Sequence, residues 1–230
     1  MSRPKANPDG EPSPVLVERM GGLLLTVACL SWAATTNIEG LWKTVVVWAP
    51  PLLTIPITRL GRRSLDANPT LRHTERVTGI VHYAMIIALG CGLFPAFRTI
   101  LASPVITYPV LRQVVWTGVV VTGFVTFLTV LNLAVRGLGA PFAVRLSTRL
   151  ATDWMYARTR NPMLLSTLAW FVALAVWHQA VWALLFLSVS VAPGWLYFVK
   201  VYEERELEIR FGAAYREYRK RTAFLFPRFH

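Results

Sequence analysis

The spacing of the charges constrains this chain more than any other feature. Charged residues gather in clusters and leave apolar stretches near 20–36, 44–60, 77–97, 113–135, 163–179 and 180–199. A helix needs about 20 mainly apolar residues to cross a hydrocarbon core of roughly 30 Å, and each stretch meets or approaches that. With 54% hydrophobic residues and a mean hydropathy of +0.46, the chain is too apolar for an ordinary soluble domain. The expected fold is an all-α integral membrane protein of about six transmembrane helices, with a C-terminal helix hairpin and a cytoplasmic amphipathic helix.

A net charge of +12 would point to nucleic acid in a soluble protein. The distribution points to the lipid bilayer instead. With the N-terminus inside, 21 of the 24 lysines and arginines face the cytoplasm, and only Lys43, Arg98 and Arg112 lie outside. The positive-inside rule accounts for this bias, so no nucleic-acid partner is needed. An even number of spans puts both the N- and C-termini in the cytoplasm of a multi-pass protein.

Two spans are weak. WAPPLLTIP, residues 48–56, holds three prolines, and the fifth stretch is short for a crossing. Either is expected to be broken, tilted or re-entrant, which neighbouring helices must compensate. Residues 1–19 read as a disordered cytoplasmic tail that opens MSRPKANPDGEPSP. Residues 20–135 read as a four-helix membrane region, and 136–230 as a separate C-terminal region. The two cysteines, Cys29 and Cys91, fall inside spans as packing residues. Nothing in the histidine and cysteine spacing suggests a metal site.

Polar residues concentrate in the C-terminal region. Before it, His82 stands alone about a turn and a half into the third span. An intramembrane ionisable residue is a functional candidate, although a neutral histidine bonded across helices is commoner. Residues 136–162 form an arginine-rich connection containing Gly137 and Gly139, where the backbone can approach a ligand. Arg160-Asn161-Pro162 then opens the fifth span. Asn is a preferred N-cap and Pro is favoured at the first helical position. Arg160, beside the positive end of the helix dipole, is unfavourable unless an anion lies between them.

The fifth and sixth spans are joined so tightly around Trp177-His178-Gln179 that they must form an antiparallel hairpin, which brings Asn161 and Glu203 to the same membrane face. Pro193-Gly194 is expected to bend the last span and open a cavity. Beyond it, Glu203, Leu207, Phe211, Ala214 and Tyr218 recur at helical spacing, so Glu203 heads an apolar stripe. Glu206 and Arg210 form an i,i+4 pair on the other side. A carboxylate on a buried interfacial face needs a cationic or multi-donor partner, either Arg160 or a ligand.

The terminal pattern Glu203, Glu204, Leu207, Phe211, Gly212, Tyr215, Tyr218 and Phe226-Pro227, preceded by G-x-G, Tyr156 and R-N-P-M, resembles the isoprenylcysteine carboxyl methyltransferase-like membrane methyltransferases. These are related to the phospholipid N-methyltransferases. The resemblance implies that 136–230 is a cofactor-binding region for S-adenosylmethionine. It assigns the cofactor to Gly137, Gly139, Tyr156, Arg160, Asn161, Pro162, Glu203 and Glu204, with Arg160 and Glu204 in catalytic roles. The implied methyl acceptor is a membrane lipid or other amphipathic small molecule. This chain departs from the family pattern at Asn161, often His, at Leu164 and Ser166, usually Tyr and Gly, and at Trp154-Met155-Tyr156, commonly Gly-Pro-Tyr. An NADPH-dependent reductase of sterol-reductase type and a non-enzymatic membrane scaffold or transporter component are the competing expectations.

Overall fold

A computed structural model of the chain describes residues 14–36, 40–136 and 150–227. Helix α1 covers Pro14–Thr35, α2 Gly40–Leu52, α3 Thr54–Ala67, α4 Leu71–Leu101 and α5 Pro109–Arg136. A single turn, α6 (Met155–Arg158), precedes α7 (Pro162–Trp177). Three further helices, α8 (Val181–Phe186), α9 (Ala192–Phe198) and α10 (Glu204–Arg221), are joined end to end through π-helical turns at Leu187–Val191 and Val199–Glu203.

Among the described residues, five helical runs are long and apolar enough to cross a membrane: Val17–Thr35, Thr44–Ala67, Leu71–Leu101, Pro109–Asn132 and Val181–Arg221. The all-α membrane fold expected from the charge spacing is what the structure has. The remaining candidate span, α7, has 16 residues, a rise of about 24 Å. The tail expected over 1–19 is shorter than read, because α1 already begins at Pro14, a residue pre-organised for a first helical turn. The rest of that tail lies outside the described residues.

The proline-rich second stretch is a helical run, Thr44–Ala67, long and apolar enough to cross, with an interruption in its middle. Pro51 and Pro56 each remove a backbone donor, and the chain steps from α2 to α3 at Leu53, whose N–H donates to the Pro50 carbonyl at 3.0 Å. The hydroxyl of Thr54 donates back to the Pro51 carbonyl, and that of Thr58 to the Thr54 carbonyl at 2.6 Å. These hydroxyls give carbonyls at the break an extra donor. Gly194 of α9 packs into the same break, where a Cβ would stand 2.2 Å from Thr54 Oγ1. The cavity expected beside Pro193-Gly194 is therefore filled by Thr54 and Pro51. The proline is absorbed by a widened π turn ahead of it, and the run stays helical.

α4 is the central post, packed by α1, α2 and α3, while α3 also touches α9 and α5 lies along α7. The buried core joins Leu65, Val81, Met85, Phe186, Val191, Phe198 and Tyr202. Opposite faces are equally apolar: Val120, Val121, Phe124 and Phe127 of α5 are exposed. A solvent of acyl chains accounts for helices that are hydrophobic all round.

The C-terminal hairpin forms as its short turn requires. His178 and Gln179 make the turn, Gln179 at φ 49°, and Ala180 N–H returns to the Ala175 carbonyl at 2.8 Å. The start of α7 and the start of α10 thereby meet at one end of the bundle. The amphipathic helix expected after the last span is a direct continuation of it.

Candidate functional site

Arg160 is placed by backbone before its side chain does anything. Thr159 is extended and bridges Ala223 in parallel, and Arg160 N–H donates to the Ala223 carbonyl at 2.9 Å. Asn161 Nδ2 donates to the Phe224 carbonyl at 2.8 Å. The side chain of Asn161 thus grips the C-terminal segment and does not cap α7, contrary to the helix-start reading. Its carbonyl still accepts the first helical bond, from Leu165 N–H at 3.1 Å, and Pro162 occupies the first turn as expected.

The guanidinium of Arg160 is 8% exposed and sits 3.0 Å, through Nη2, from Oε1 of Glu204, itself 9% exposed. The two atoms are not aligned as a hydrogen bond, and Arg160 Nε and Nη1 have no hydrogen-bond partner among the described residues. Lys200 Nζ lies 3.4 Å from Glu204 Oε2, one helical turn back. Both cations also stand over the Phe224 ring, at 5.6 Å for Arg160 and 4.7 Å for Lys200. Lys200 and Phe224 were not singled out in the sequence. The i,i+4 spacing to Glu204 was the available signal for the lysine.

Glu203 has a different partner. Its Oε1 is 3.4 Å from Nε2 of His82 on α4. The two adjacent glutamates thus turn to different partners, as the 100° step between consecutive helical residues demands. The expected stripe from Glu203 to Tyr218 is not one buried face. Ala214 is exposed, whereas Glu204, Glu206, Tyr215 and Tyr218 are buried. The cause is local: the π turn ending at Glu203 shifts the register, and Gly212, at φ 54° and ψ −123°, kinks α10. Glu206 and Arg210 do pair at 2.6 Å, but as a buried pair, not on a solvated flank.

Tyr156 closes the cluster. Its carbonyl accepts the Tyr218 hydroxyl at 2.7 Å. Burial, and after it the negative charge of Glu203, pushes its phenol above the usual tyrosine range. Just ahead, Trp154 holds φ 52° and ψ −120°, a glycine-like conformation at the position where the resembled family carries Gly. Gly137 and Gly139 lie outside the described residues.

The fold and these contacts define a polytopic helical membrane protein whose buried charges converge at one end of its last hairpin. Residues 111–214 match the model of the phospholipid methyltransferase family, so this stretch is similar to those membrane enzymes. No curated protein and no solved structure matches the chain. The matched stretch contains Tyr156, Arg160, Asn161, Pro162, Lys200, Glu203 and Glu204, and leaves out His82 and Phe224.

Proposed function

We propose that the protein is an S-adenosylmethionine-dependent methyltransferase acting in the membrane on a lipid-like or amphipathic acceptor, at oxygen, sulfur or nitrogen. The observation that carries this reading is Arg160, a buried guanidinium inside the family-matched stretch whose Nε and Nη1 donors have no partner among the described residues. Buried donors left unpaired are costly. A carboxylate meeting them would relieve that cost through charge-assisted hydrogen bonds, and the positive end of α7 favours an anion at the same place. The Glu203 and Glu204 carboxylates suit an ammonium group or ribose hydroxyls. Together these groups fit the cofactor's carboxylate, ammonium and ribose.

When bound, the cofactor supplies an electrophilic methyl group on a sulfonium. The chain's own contribution is to hold and orient. Arg160 takes the carboxylate end, Glu203 and Glu204 take the opposite charge and the hydroxyls, and the Tyr156 phenol remains a proton donor because its proton is held tightly. Methyl transfer is an in-line displacement, so fixed positioning in a site shielded from water supplies much of the rate. A base is required only for an acceptor that must lose a proton. The excess of lysine and arginine at this end favours the cytoplasmic face for the site.

Glu203→Gln and Arg160→Ala are each expected to abolish S-adenosylmethionine binding while the protein still inserts into membranes. Unchanged binding in both variants would overturn the site, and binding of NADPH by the purified protein in place of the methyl donor would overturn the reaction class. Incubation with radiolabelled methyl donor and host membrane extract, followed by identification of the labelled product, then names the acceptor.

A further inference from the structure

His82 belongs to α4, outside the stretch that matches the family, yet it faces the site. Its Nδ1 is 2.9 Å from the Thr78 carbonyl. A carbonyl only accepts, so Nδ1 carries the hydrogen and donates it. The other nitrogen, Nε2, is 3.4 Å from Glu203 Oε1. A neutral ring protonated at Nδ1 would turn a lone pair toward a carboxylate. One proton between Nε2 and Oε1 removes that repulsion, whichever atom holds it.

The ring has little freedom to turn away. Phe198 and Tyr202 meet it edge-on, with centroids 5.3 and 6.3 Å away, and Phe198 and Tyr202 stack on each other at 5.4 Å. Tyr202 Oη lies 3.1 Å from Thr78 Oγ1, so the residue that anchors His82 is itself held. The histidine and Glu203 side chains are 19% and 29% exposed, so the pair is partly accessible.

We infer that His82 is a positioning residue that shares a proton with Glu203 and fixes that carboxylate for the cofactor's ammonium or ribose hydroxyls. This rests on the reading of Glu203 as a cofactor ligand. It makes the N-terminal helices part of the site: α4 supplies a side chain that the family-matched stretch lacks.

The experiment uses the full-length protein in detergent, with S-adenosylmethionine affinity and methyl-transfer kinetics measured for the wild type, His82→Phe, His82→Gln and His82→Asn. Phenylalanine keeps the ring packing and removes the proton. Glutamine can still donate an N–H to the carboxylate, whereas asparagine is too short to reach. Losing a hydrogen bond to a charged group corresponds to about 10- to 100-fold in affinity. His82→Phe is therefore expected to weaken binding by roughly that factor, raising KM for the methyl donor more than it lowers kcat, with His82→Gln recovering most of the loss.

Wild-type affinity in His82→Phe would overturn the inference, as would a glutamine variant as weak as phenylalanine. If His82→Phe does not fold, the comparison passes to glutamine and asparagine: strong binding by the first and weak by the second supports the role, and equal binding overturns it. A wild type that binds no S-adenosylmethionine overturns the cofactor reading itself and is thereby told apart from a failure of His82 alone.

Discussion

The two ends of the bundle carry similar polar residues and use them in opposite ways. At the end formed by the α7–α8 turn, the polar side chains described close on backbone or an aromatic face. His178 Nδ1 donates to the Ser103 carbonyl at 3.0 Å, and Gln179 Nε2 to that of Val105 at 2.9 Å. Arg98 donates to the Ala34 carbonyl at 3.0 Å, and Arg112 stands over the Trp177 ring at 5.7 Å. A hollow of about 560 Å³ opens there between Thr107, Pro109, Arg112, Gln113, Trp116 and Trp177. At the Arg160 end, carboxylates and cations are buried against each other and donors remain unspent among the described residues. A hollow of this size does not by itself mark a ligand site. Unspent hydrogen-bonding capacity in a buried place is the better sign of a ligand site, because burial makes it costly unless something arrives to use it.

The contrast can be broken at its strongest point by removing one charge. Arg160→Leu leaves Glu204 buried with only Lys200 beside it, and is expected to cost about 3–5 kcal/mol in thermal unfolding in detergent. Arg160→Leu combined with Glu204→Leu should recover most of that loss, since an uncompensated charge hurts more than a missing pair. Additive losses in the double variant would show that the two side chains do not act on each other.

A smaller effect tests how the C-terminal segment is tied to the site. Asn161→Ala removes the donor to the Phe224 carbonyl and should cost about 1 kcal/mol, with faster proteolysis beyond Thr222. At the opposite end, His178→Phe should also cost about 1 kcal/mol, but leave S-adenosylmethionine affinity unchanged. A drop in affinity there would mean that the two ends are coupled, and the division between a closed end and a ligand end would fail.

Much of this arrangement was legible in the sequence, because bilayer crossing and helix starts are local properties. Apolar runs of span length, Pro162 at a first helical turn and a very short connection at residues 177–180 are each read from a few neighbouring residues. Where local reasoning failed, a distant contact had intervened. Asn161 has the chemistry of a cap, but the carbonyl of Phe224 competes for its amide. Pro193-Gly194 has the chemistry of a bend, but α3 occupies the space beside it. The helical stripe was counted at a uniform 3.6 residues per turn, which a π turn and the Gly212 kink both violate.

The sequence by itself determined that this chain lives in a membrane, where its last hairpin turns, and that Arg160 and the two glutamates share one end. Those conclusions follow from hydropathy, charge distribution and the reach of a short turn. Only the tertiary structure decided which glutamate answers to which partner: Arg160 with Glu204, and His82 of a distant helix with Glu203. Adjacent residues on a helix point in different directions, and what each one meets depends on neighbours that the packing of α4 and α7 brings to them.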